Sequence, residues 1–388
     1  MNNFQYFNPT RIVFGEGSIA QLKDLIPLET RVLMLYGGGS IKKNGVYQQV
    51  TNALRDHELF EFGGIEPNPE YATLMKAVEL IRKNKIDFLL AVGGGSVIDG
   101  TKFVAMAALY QGEEPWDIID QGLAPSLKEA MPFGAVLTLP ATSSEMNNKS
   151  VISNHEKCRK KSFASDLIYP KFSILDPTVT YSLPKKQVRN GLVDAYIHVL
   201  EQYLTYPVGA TMQDRQSEAL LMTIHDIAKA ALEMDPPDYT ARANYMWVCS
   251  NALNGLIGMG VPQDWATHGI GHALTVLYGL DHAESLAVVL PWLMWYKREQ
   301  KHDKLLQYGS RVLGQNFQDP DEQIDKTIEA LSAFFHSLGM PTTLTAYRLD
   351  PDKVAEEMQK QLEDERFTRG EHRDITPAAA AAILRLSR

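Results

Sequence analysis

The sequence changes character near residue 180, and this change constrains the possible folds more than any other feature. Before it, short β-rich runs end in glycine or proline, and helical patterns such as TLMKAVELIRKN lie between several of them: RIVFG, RVLMLYGGGS, FLLAVGGGS, GAVLTLPAT and FSILDP. After DPTVTYSLP the β-rich runs stop, and helical patterns rich in Ala, Leu and Met follow. Strands that alternate with helices are typical of a mostly parallel sheet with covered faces. We therefore predict an α/β domain at residues 1–180 and an all-helical domain at residues 181–388.

Length, charge and cysteine content agree with this division and exclude several classes of protein. A chain of 388 residues is long for one hydrophobic core. The formal charge of -9, with no basic run longer than RKK at 159–161, argues against nucleic acid as the main partner. No apolar stretch reaches the roughly 20 residues that span a bilayer, and MNNFQYFNPT does not resemble a signal peptide. Two cysteines, Cys158 and Cys249, are too few for a disulfide framework, so we expect a reduced, cytoplasmic protein.

The tetrapeptide GGGS occurs twice in the α/β part, each time after an apolar strand pattern. LMLYGGGS ends at Ser40 and LLAVGGGS ends at Ser96. Glycines allow close approach of the backbone to a ligand, and the start of a helix offers free N–H groups to a phosphate. One GGGS could be only a tight turn between a strand and a helix, but two of them favour anion binding. The G-x-G-x-x-G fingerprint is absent, so this is not an ordinary Rossmann motif.

Two charged residues, Asp99 and Lys102, follow the second GGGS in the first turns of the predicted helix. One interpretation is an acid that complements the helix dipole, with an exposed lysine nearby. The other is a carboxylate that binds a ribose hydroxyl, with a cation near it.

The helical part contains an acid and a histidine at helical spacing in GLVDAYIHVLEQY. Asp194 and His198 are four residues apart, so they lie on one face of a helix, one turn apart. This pair is either a hydrogen-bonded pair in a helical core or half of a metal site that needs ligands from elsewhere.

Three further histidines lie close together in the sequence and can complete such a site. His268 and His272 repeat the four-residue spacing, and His282 follows. On one unbroken helix His282 would lie about 21 Å from His268, too far to share a metal. The segment YGLD at 278–281 interrupts the helical pattern, and Gly279 is a plausible helix end that lets the chain turn back. The pattern therefore predicts a metal site.

The chain resembles the iron-containing (group III) alcohol dehydrogenase family over essentially its whole length. The resemblance rests on the D-x-x-x-H pair, the H-x-x-x-H pair with a histidine ten residues later, GGGSVIDGTK and TLPATSSE. It is closest to the branch of NADPH-dependent aldehyde reductases and butanol dehydrogenases. The resemblance implies an α/β N-terminal dinucleotide-binding domain and an all-α C-terminal domain, as in dehydroquinate synthase.

The resemblance also assigns roles to individual residues. The metal ligands of the family correspond to Asp194, His198, His268 and His282, and His272 corresponds to an additional active-site histidine that faces substrate and nicotinamide. Asp99 and His272 are the candidates for catalytic roles. The dinucleotide contacts correspond to glycines, hydroxyl residues and charged residues: Gly37, Gly38, Gly39, Ser40, Gly94, Gly95, Ser96, Asp99, Thr138, Thr142 and Lys160. The sequence departs from the family at Ser143, where many relatives have glycine.

One carboxylate and three imidazoles suit Fe²⁺ or Zn²⁺, and Co²⁺ or Ni²⁺ as well. Such a metal acts as a Lewis acid while hydride moves between a nicotinamide and a substrate carbon, and His272 or ribose hydroxyls relay the proton. One alternative is a non-redox enzyme of the same fold, like dehydroquinate synthase. That enzyme would need clustered Lys and Arg, whereas GLIGMGVPQDW and HALTVLYGL are apolar. A second alternative is a catalytically silent dinucleotide sensor.

The end of the second strand predicts the coenzyme. NAD-specific enzymes commonly place an acid there, but RVLMLY is followed by GGGSIKKNG, with Ser40, Lys42 and Lys43 and no acid. The lysines are either a solvated surface pair or contacts of a 2′-phosphate. We predict a preference for NADPH over NADH, which Gly39→Asp should reverse. We also expect neutral short- to medium-chain aldehydes or the matching primary alcohols as substrates, and a homodimer.

Overall fold

The computed structural model describes residues 1–157 and 159–388, so Cys158 lies outside the described residues. The chain forms two compact units. The α/β unit contains residues 7–184 and 235–254, and the helical unit contains residues 1–6, 185–234 and 255–388. The sequence predicted a single domain boundary after residue 180. The segment 235–254 instead returns to the α/β unit, although its sequence reads as one more helix in a helical region.

The strands found among residues 1–157 and 159–388 all belong to the α/β unit. They are β1 (Arg11–Phe14), β2 (Arg31–Tyr36), β3 (Glu58–Phe62), β4 (Phe88–Gly94), β5 (Phe133–Leu139), β6 (Lys149–Asn154), β7 (Arg159–Ala164) and β8 (Phe172–Leu175). Within the described ranges, six of them form a parallel sheet in the order β1-β8-β5-β4-β2-β3, while β6 and β7 pair antiparallel. The predicted β-rich runs all became strands of the parallel sheet.

The order of the strands explains why GGGS occurs twice. β2 and β4 are neighbours in the sheet, with Val32 beside Phe88 and Tyr36 beside Val92. From β2 the chain continues to β3 on one side, whereas from β4 it continues to β5 on the other. The connections therefore leave in opposite directions between these two strands, and ligands of open α/β sheets bind at such a switch point. Both GGGS segments lie at this position.

The helices are α1 (Leu22–Leu25), α2 (Val46–Ala53), α3 (Tyr71–Asn84), α4 (Gly95–Ala107), α5 (Asp117–Asp120), α6 (Lys185–Tyr203), α7 (Thr211–Glu233), α8 (Tyr239–Ala252), α9 (Ala266–Tyr278), α10 (His282–Tyr296), α11 (His302–Arg311), α12 (Pro320–Ser337), α13 (Pro351–Asp364) and α14 (Pro377–Leu386). In the helical unit α10 lies centrally and contacts α6, α9, α12 and α14. Its buried apolar side chains, such as Leu286 and Leu290, explain this position. Within residues 1–157 and 159–388, no helix combines the length and the apolar sequence of a membrane span.

The predicted break between the histidines is confirmed. α9 ends at Tyr278, and Gly279 follows with φ 69°, a left-handed conformation that glycine adopts without strain. α10 then begins at His282. The chain therefore reverses where the sequence required it to.

Candidate metal centre and dinucleotide-binding loops

The predicted acid and histidine lie on one buried face of α6. Asp194 and His198 are both almost completely buried, and Asp194 Oδ1 lies 3.5 Å from His198 Nδ1. The flanking residues of the helix, Val193, Ile197 and Val199, are buried as well. The carboxylate is therefore shielded from water, where it needs a cation or hydrogen-bond donors.

The turn between α9 and α10 brings two more imidazoles to the same carboxylate. His268 Nε2 lies 3.7 Å and His282 Nε2 3.6 Å from Asp194 Oδ1. Ligand atoms on neighbouring corners of a tetrahedron are about 3.4–3.6 Å apart when bonds to the metal are about 2.1–2.2 Å. One atom from each of these three residues lies within 4.8 Å of the others, so the cluster Asp194–His268–His282 has the dimensions of a metal site.

Two polar atoms of this cluster support the same conclusion. Asp194 Oδ1 and His268 Nε2 are buried and have no hydrogen-bond partner within the part of the chain that the structure describes. Buried polar atoms in proteins are nearly always hydrogen bonded. A divalent cation between them would satisfy both atoms, and a carboxylate with imidazoles is a donor set that such cations accept.

The other two predicted histidines lie beside this cluster. The ring of His198 stacks on that of His268, with centroids 4.5 Å apart and planes at 26°. The ring of His272 is half-buried and lies 5.3 Å from that of His282 and 6.2 Å from that of His268. The geometry thus gathers all five predicted residues. A ligand role for His198 and an active-site role for His272 stay predictions.

Glu201 also belongs to this site, although the sequence analysis did not identify it. Its buried carboxylate accepts a hydrogen bond from the backbone N–H of Thr267 (2.7 Å) and contacts His268 Nδ1. Burial lowers the pKa of His268, but Glu201 and Asp194 outweigh it and raise that pKa to about 9. A signal was present in the sequence, because Asp194, His198 and Glu201 have the spacing i, i+4, i+7 of one helix face.

The two GGGS loops differ in how tightly they pack. After β2, a Cβ atom on Gly38 would meet nothing within 4 Å, and Gly39 has φ 91°. After β4, a Cβ atom on Gly95 would lie 2.5 Å from Thr142 Oγ1. α4 begins at Gly95, directly after the strand, so its first backbone N–H groups lie at the sheet edge. The second loop therefore has room only for glycine, and the first has open space beside its backbone.

The structure contradicts one of the two interpretations of Lys102, the exposed lysine. Its side chain is completely buried, and Nζ donates hydrogen bonds to Asn147 Oδ1 (2.9 Å) and to the backbone oxygen of Lys149 (2.7 Å). Burial lowers the pKa of this ammonium group to about 8, against the opposing effect of Asp99. Lys102 is therefore not exposed, and its role as a cation near a ribose-binding Asp99 stays a prediction. It links α4 to the segment that begins β6.

Asp99 is half-buried and already has donors. Its carboxylate accepts hydrogen bonds from Ser144 Oγ (2.5 Å) and from the backbone N–H of Val151 (2.8 Å). Burial raises the pKa of this carboxyl, and Lys102 opposes the shift. These bonds join α4 to the segment after β5 and to β6. A contact between Asp99 and a ribose stays a prediction.

The segment after β5 accommodates the predicted departure at Ser143. This residue has φ 53°, a backbone conformation that favours glycine. Its hydroxyl donates to the backbone oxygen of Cys249 (2.6 Å) and accepts from the backbone N–H of Leu253 (2.8 Å) at the end of α8. The serine thus makes two hydrogen bonds that glycine could not make.

The remaining predicted cofactor contacts lie on separate elements. Thr138 is buried in β5, Thr142 Oγ1 accepts from the backbone N–H of Ser144 (3.2 Å), and Lys160 Nζ donates to Asn68 Oδ1 (2.9 Å).

Near the first loop, Lys42 forms an ion pair with Glu61 of β3 at 3.5 Å. No acid directly follows β2 in the sequence, but the sheet places Glu61 of the neighbouring strand β3 beside β2. The sequence of β2 alone does not reveal this neighbour.

Comparisons with known proteins agree with the metal site and the two-unit fold described above. Two family models match: "Iron-containing alcohol dehydrogenase" over residues 9–177 and "Fe-containing alcohol dehydrogenase family, C-terminal" over residues 189–387. The chain is 51% identical to the NADPH-dependent aldehyde reductase YqhD of Escherichia coli strain K12, with 100% of both chains covered. It is 40% identical to a probable NADH-dependent butanol dehydrogenase of Bacillus subtilis strain 168, again with 100% of both covered.

Solved structures give the same result. The crystal structure of Escherichia coli K-12 YqhD superposes with a TM-score of 0.97, covering 100% of this chain and 99% of the other. The NADH-dependent butanol dehydrogenase A of Thermotoga maritima superposes with a TM-score of 0.91 at 36% identity, with the same coverage.

Proposed function

This chain belongs to the iron-containing alcohol dehydrogenase family, and on that premise we propose that it is a metal-dependent, NADPH-dependent aldehyde reductase. In this reaction an aldehyde, NADPH and a proton give a primary alcohol and NADP⁺. The relative at 51% identity is named as an NADPH-dependent aldehyde reductase, which supports both the direction and the coenzyme. In the reverse direction the enzyme would oxidise primary alcohols.

The buried cluster Asp194–His268–His282 is the observation that carries this proposal. A catalytically silent dinucleotide-binding protein has no need of a buried carboxylate that lies 3.6–3.7 Å from two imidazole nitrogens. Burying a carboxylate costs free energy, and a bound cation offsets that cost.

We assign Asp194, His198, His268 and His282 as the metal ligands, with Fe²⁺ or Zn²⁺ as the ion and Co²⁺ or Ni²⁺ as acceptable substitutes. When bound, the metal supplies Lewis-acid activation of the carbonyl, and NADPH supplies the hydride. Asp194 contributes the negative charge of the site, and burial of its carboxylate increases the attraction for a cation.

We assign to His272 the transfer of the proton that the reaction requires. Its ring lies 5.3 Å from that of His282 and is half-buried, so it borders the cluster and remains partly accessible to solvent. An imidazole exchanges protons near neutral pH and is well suited to carry one to an alcohol oxygen.

For the coenzyme, we assign the pyrophosphate to the loops after β2 and β4, whose glycines leave the backbone N–H groups accessible. Asp99, Thr138, Thr142 and Lys160 are proposed to complete the contacts. The 2′-phosphate is assigned to residues 38–43, where Gly38 has free space beside it.

A dehydroquinate synthase-like reaction is the alternative on the same fold, but the comparisons favour the oxidoreductase. The sequence around the metal ligands supports the same choice, because GLIGMGVPQDW and HALTVLYGL contain no cluster of Lys and Arg for an anionic sugar acid.

One set of assays tests the proposal. The purified enzyme, prepared without chelator, is analysed for bound metal, and NADPH oxidation is followed with butanal and with a 2-keto acid. We expect stoichiometric metal and faster turnover of butanal. Turnover that survives complete removal of metal, or faster turnover of the 2-keto acid, would contradict the proposed reaction.

We further propose a homodimer that acts in the cytoplasm. Two apolar residues of the α/β unit, Phe14 of the edge strand β1 and Trp247 of α8, are partly exposed and contact each other edge to face at 6.1 Å. Such a pair suits burial in a subunit interface. Sedimentation equilibrium of the wild-type protein and of Trp247→Glu tests this, and a monomeric wild type would refute it.

A further inference from the structure

Glu201 lies in a position that the family resemblance did not assign. It is on α6, and only 2% of its surface is exposed. Its Oε1 accepts from the N–H of Thr267 (2.7 Å), and its Oε2 accepts from the N–H of His268 (3.3 Å) and contacts the ring atom Nδ1 of His268. One buried carboxylate thus binds both the start of α9 and the imidazole that this helix carries.

These contacts determine which ring nitrogen of His268 is available. Because Nδ1 faces a carboxylate, it carries a proton and donates it, so Nε2 is the nitrogen that a metal would bind, in place of a proton. Nε2 is the atom that lies 3.7 Å from Asp194 Oδ1, and it has no hydrogen-bond partner among the described residues. A carboxylate behind a ligand imidazole fixes the ring and makes it a better donor to a metal.

The backbone contacts add a second constraint. The first N–H groups of a helix have no partner within the helix, and Glu201 accepts from two of them in α9. The backbone oxygen of Glu201 also accepts from the N–H of Asp264 (2.9 Å), just before that helix. The position of α9 relative to α6 is therefore set at Glu201, close to the ring that the same residue orients.

We propose that Glu201 is a positioning residue that holds His268 with Nε2 directed toward the metal. This inference rests on the proposed metal site. Glu201 contacts neither the substrate nor the reacting atoms. Its role is to fix the tautomer, the ring orientation and the donor strength of one ligand.

The experiment compares two neutralised acids at the same helix start. Glu201→Gln retains an oxygen that accepts from the backbone but loses the charge behind the ring. Asp264→Asn is the matched control, because Asp264 Oδ1 accepts from the N–H of Ala266 (2.9 Å) at the start of α9, while its second oxygen binds Lys301 (2.8 Å) and no histidine. Each metal-free, full-length protein is titrated with Zn²⁺ in competition with a chelator, and its unfolding midpoint is measured separately.

We expect Glu201→Gln to bind Zn²⁺ about 10- to 100-fold more weakly than the wild type. Asp264→Asn should lower the unfolding midpoint and leave the affinity for Zn²⁺ unchanged. If Glu201→Gln behaves like Asp264→Asn, Glu201 only caps α9 and the inference is wrong. A wild type that binds no Zn²⁺ would overturn the proposed metal site as well, so the two failures are distinguishable.

A second measurement needs no variant and covers the case in which Glu201→Gln does not fold. Wild-type protein labelled with ¹⁵N-histidine and loaded with Zn²⁺ is studied by long-range ¹H–¹⁵N NMR. His268 should show a protonated Nδ1 with a downfield proton, and Nε2 bound to the metal. Metal on Nδ1 would overturn the inference.

Discussion

His282 Nε2 lies 3.6 Å from Asp194 Oδ1, and the turn at Gly279 makes this distance possible. On a continuous helix His282 would lie about 21 Å along the axis from His268, too far to share a metal with it. The reversal places His282 at the first position of α10, beside the ring of His268. The turn between α9 and α10 is therefore as much a part of the candidate metal centre as the ligands themselves.

The first prediction separates ligands from neighbours. We expect His268→Ala and His282→Ala to lose both bound metal and turnover, because each removes a nitrogen that faces Asp194. His272→Ala should retain the metal and lose about 100-fold or more in kcat, as expected when a proton relay is removed. Metal content by mass spectrometry, together with kcat, measures both effects. An empty site in the His272 variant beside a loaded His268 variant would reverse the assignment.

The second prediction concerns the coenzyme. A carboxylate beside the end of β2 should repel the 2′-phosphate, so that kcat/KM falls for NADPH and rises for NADH. Gly39→Asp introduces it at φ 91°, where a side chain costs about 1–3 kcal/mol of strain. Gly38→Asp avoids this cost, because the φ of Gly38 is not in the left-handed region and there is free space beside its backbone.

Gly38→Asn is the control for this substitution, since it has the same shape without the charge. We expect Asn to leave the preference for NADPH largely intact while Asp reverses it. Equal kcat/KM for the two coenzymes in the wild type would show that this loop does not discriminate between them.

The third prediction is a pH dependence of stability that arises from His225. Its Nε2 lies 2.8 Å from Tyr196 Oη, and its ring packs against that of Phe334 with centroids 3.9 Å apart. Burial lowers the pKa of His225 to about 4 from its usual 6.5, although the nearby Asp226 opposes this shift. Between these pH values the unfolded chain binds a proton that the folded chain does not. The contribution of His225 is therefore complete above about pH 6.5 and is lost as the pH falls toward 4.

Urea denaturation between pH 7.5 and 4 checks this dependence. His225→Gln provides the comparison, because its amide can still bind the Tyr196 hydroxyl but does not titrate. The decline in the free energy of unfolding should be shallower in the variant than in the wild type. Identical slopes would mean that His225 titrates normally.

The sequence predicted the fold well where burial follows the local pattern. β2 and β4 are almost entirely apolar, as expected for central parallel strands that are covered on both faces. β3 and the hairpin β6–β7 were not predicted. The sequence of β3, ELFEF, is only partly buried at the sheet edge, and that of β7, RKKSFA, is polar. Marginal strands such as these depend on partners that the local sequence does not name.

The candidate site shows the same division. The spacing of Asp194, His198 and the three later histidines predicted the cluster, because helix geometry fixes which side chains share a face. Burial of Lys102 could not be predicted, because it depends on what packs against α4, and the spacing of Glu201 indicated its helix face but not its contact with His268. Charged residues are usually exposed, so a sequence gives little reason to expect a lysine with no exposed surface.

The last prediction tests the serine that replaces glycine at position 143. Ser143→Ala removes the hydroxyl and leaves the N–H of Leu253 without that acceptor, while the left-handed backbone at φ 53° remains. We expect a loss of about 1–3 kcal/mol in the free energy of unfolding. Ser143→Gly loses the same two hydrogen bonds but relieves the backbone, so it should be less destabilised than the alanine variant by about 1 kcal/mol. Urea denaturation of the wild type and the two variants measures the contributions of the hydrogen bonds and of the backbone conformation. An alanine variant as stable as the wild type would show that the contact with α8 contributes nothing, and equal losses in the two variants would show that the backbone at Ser143 is unstrained.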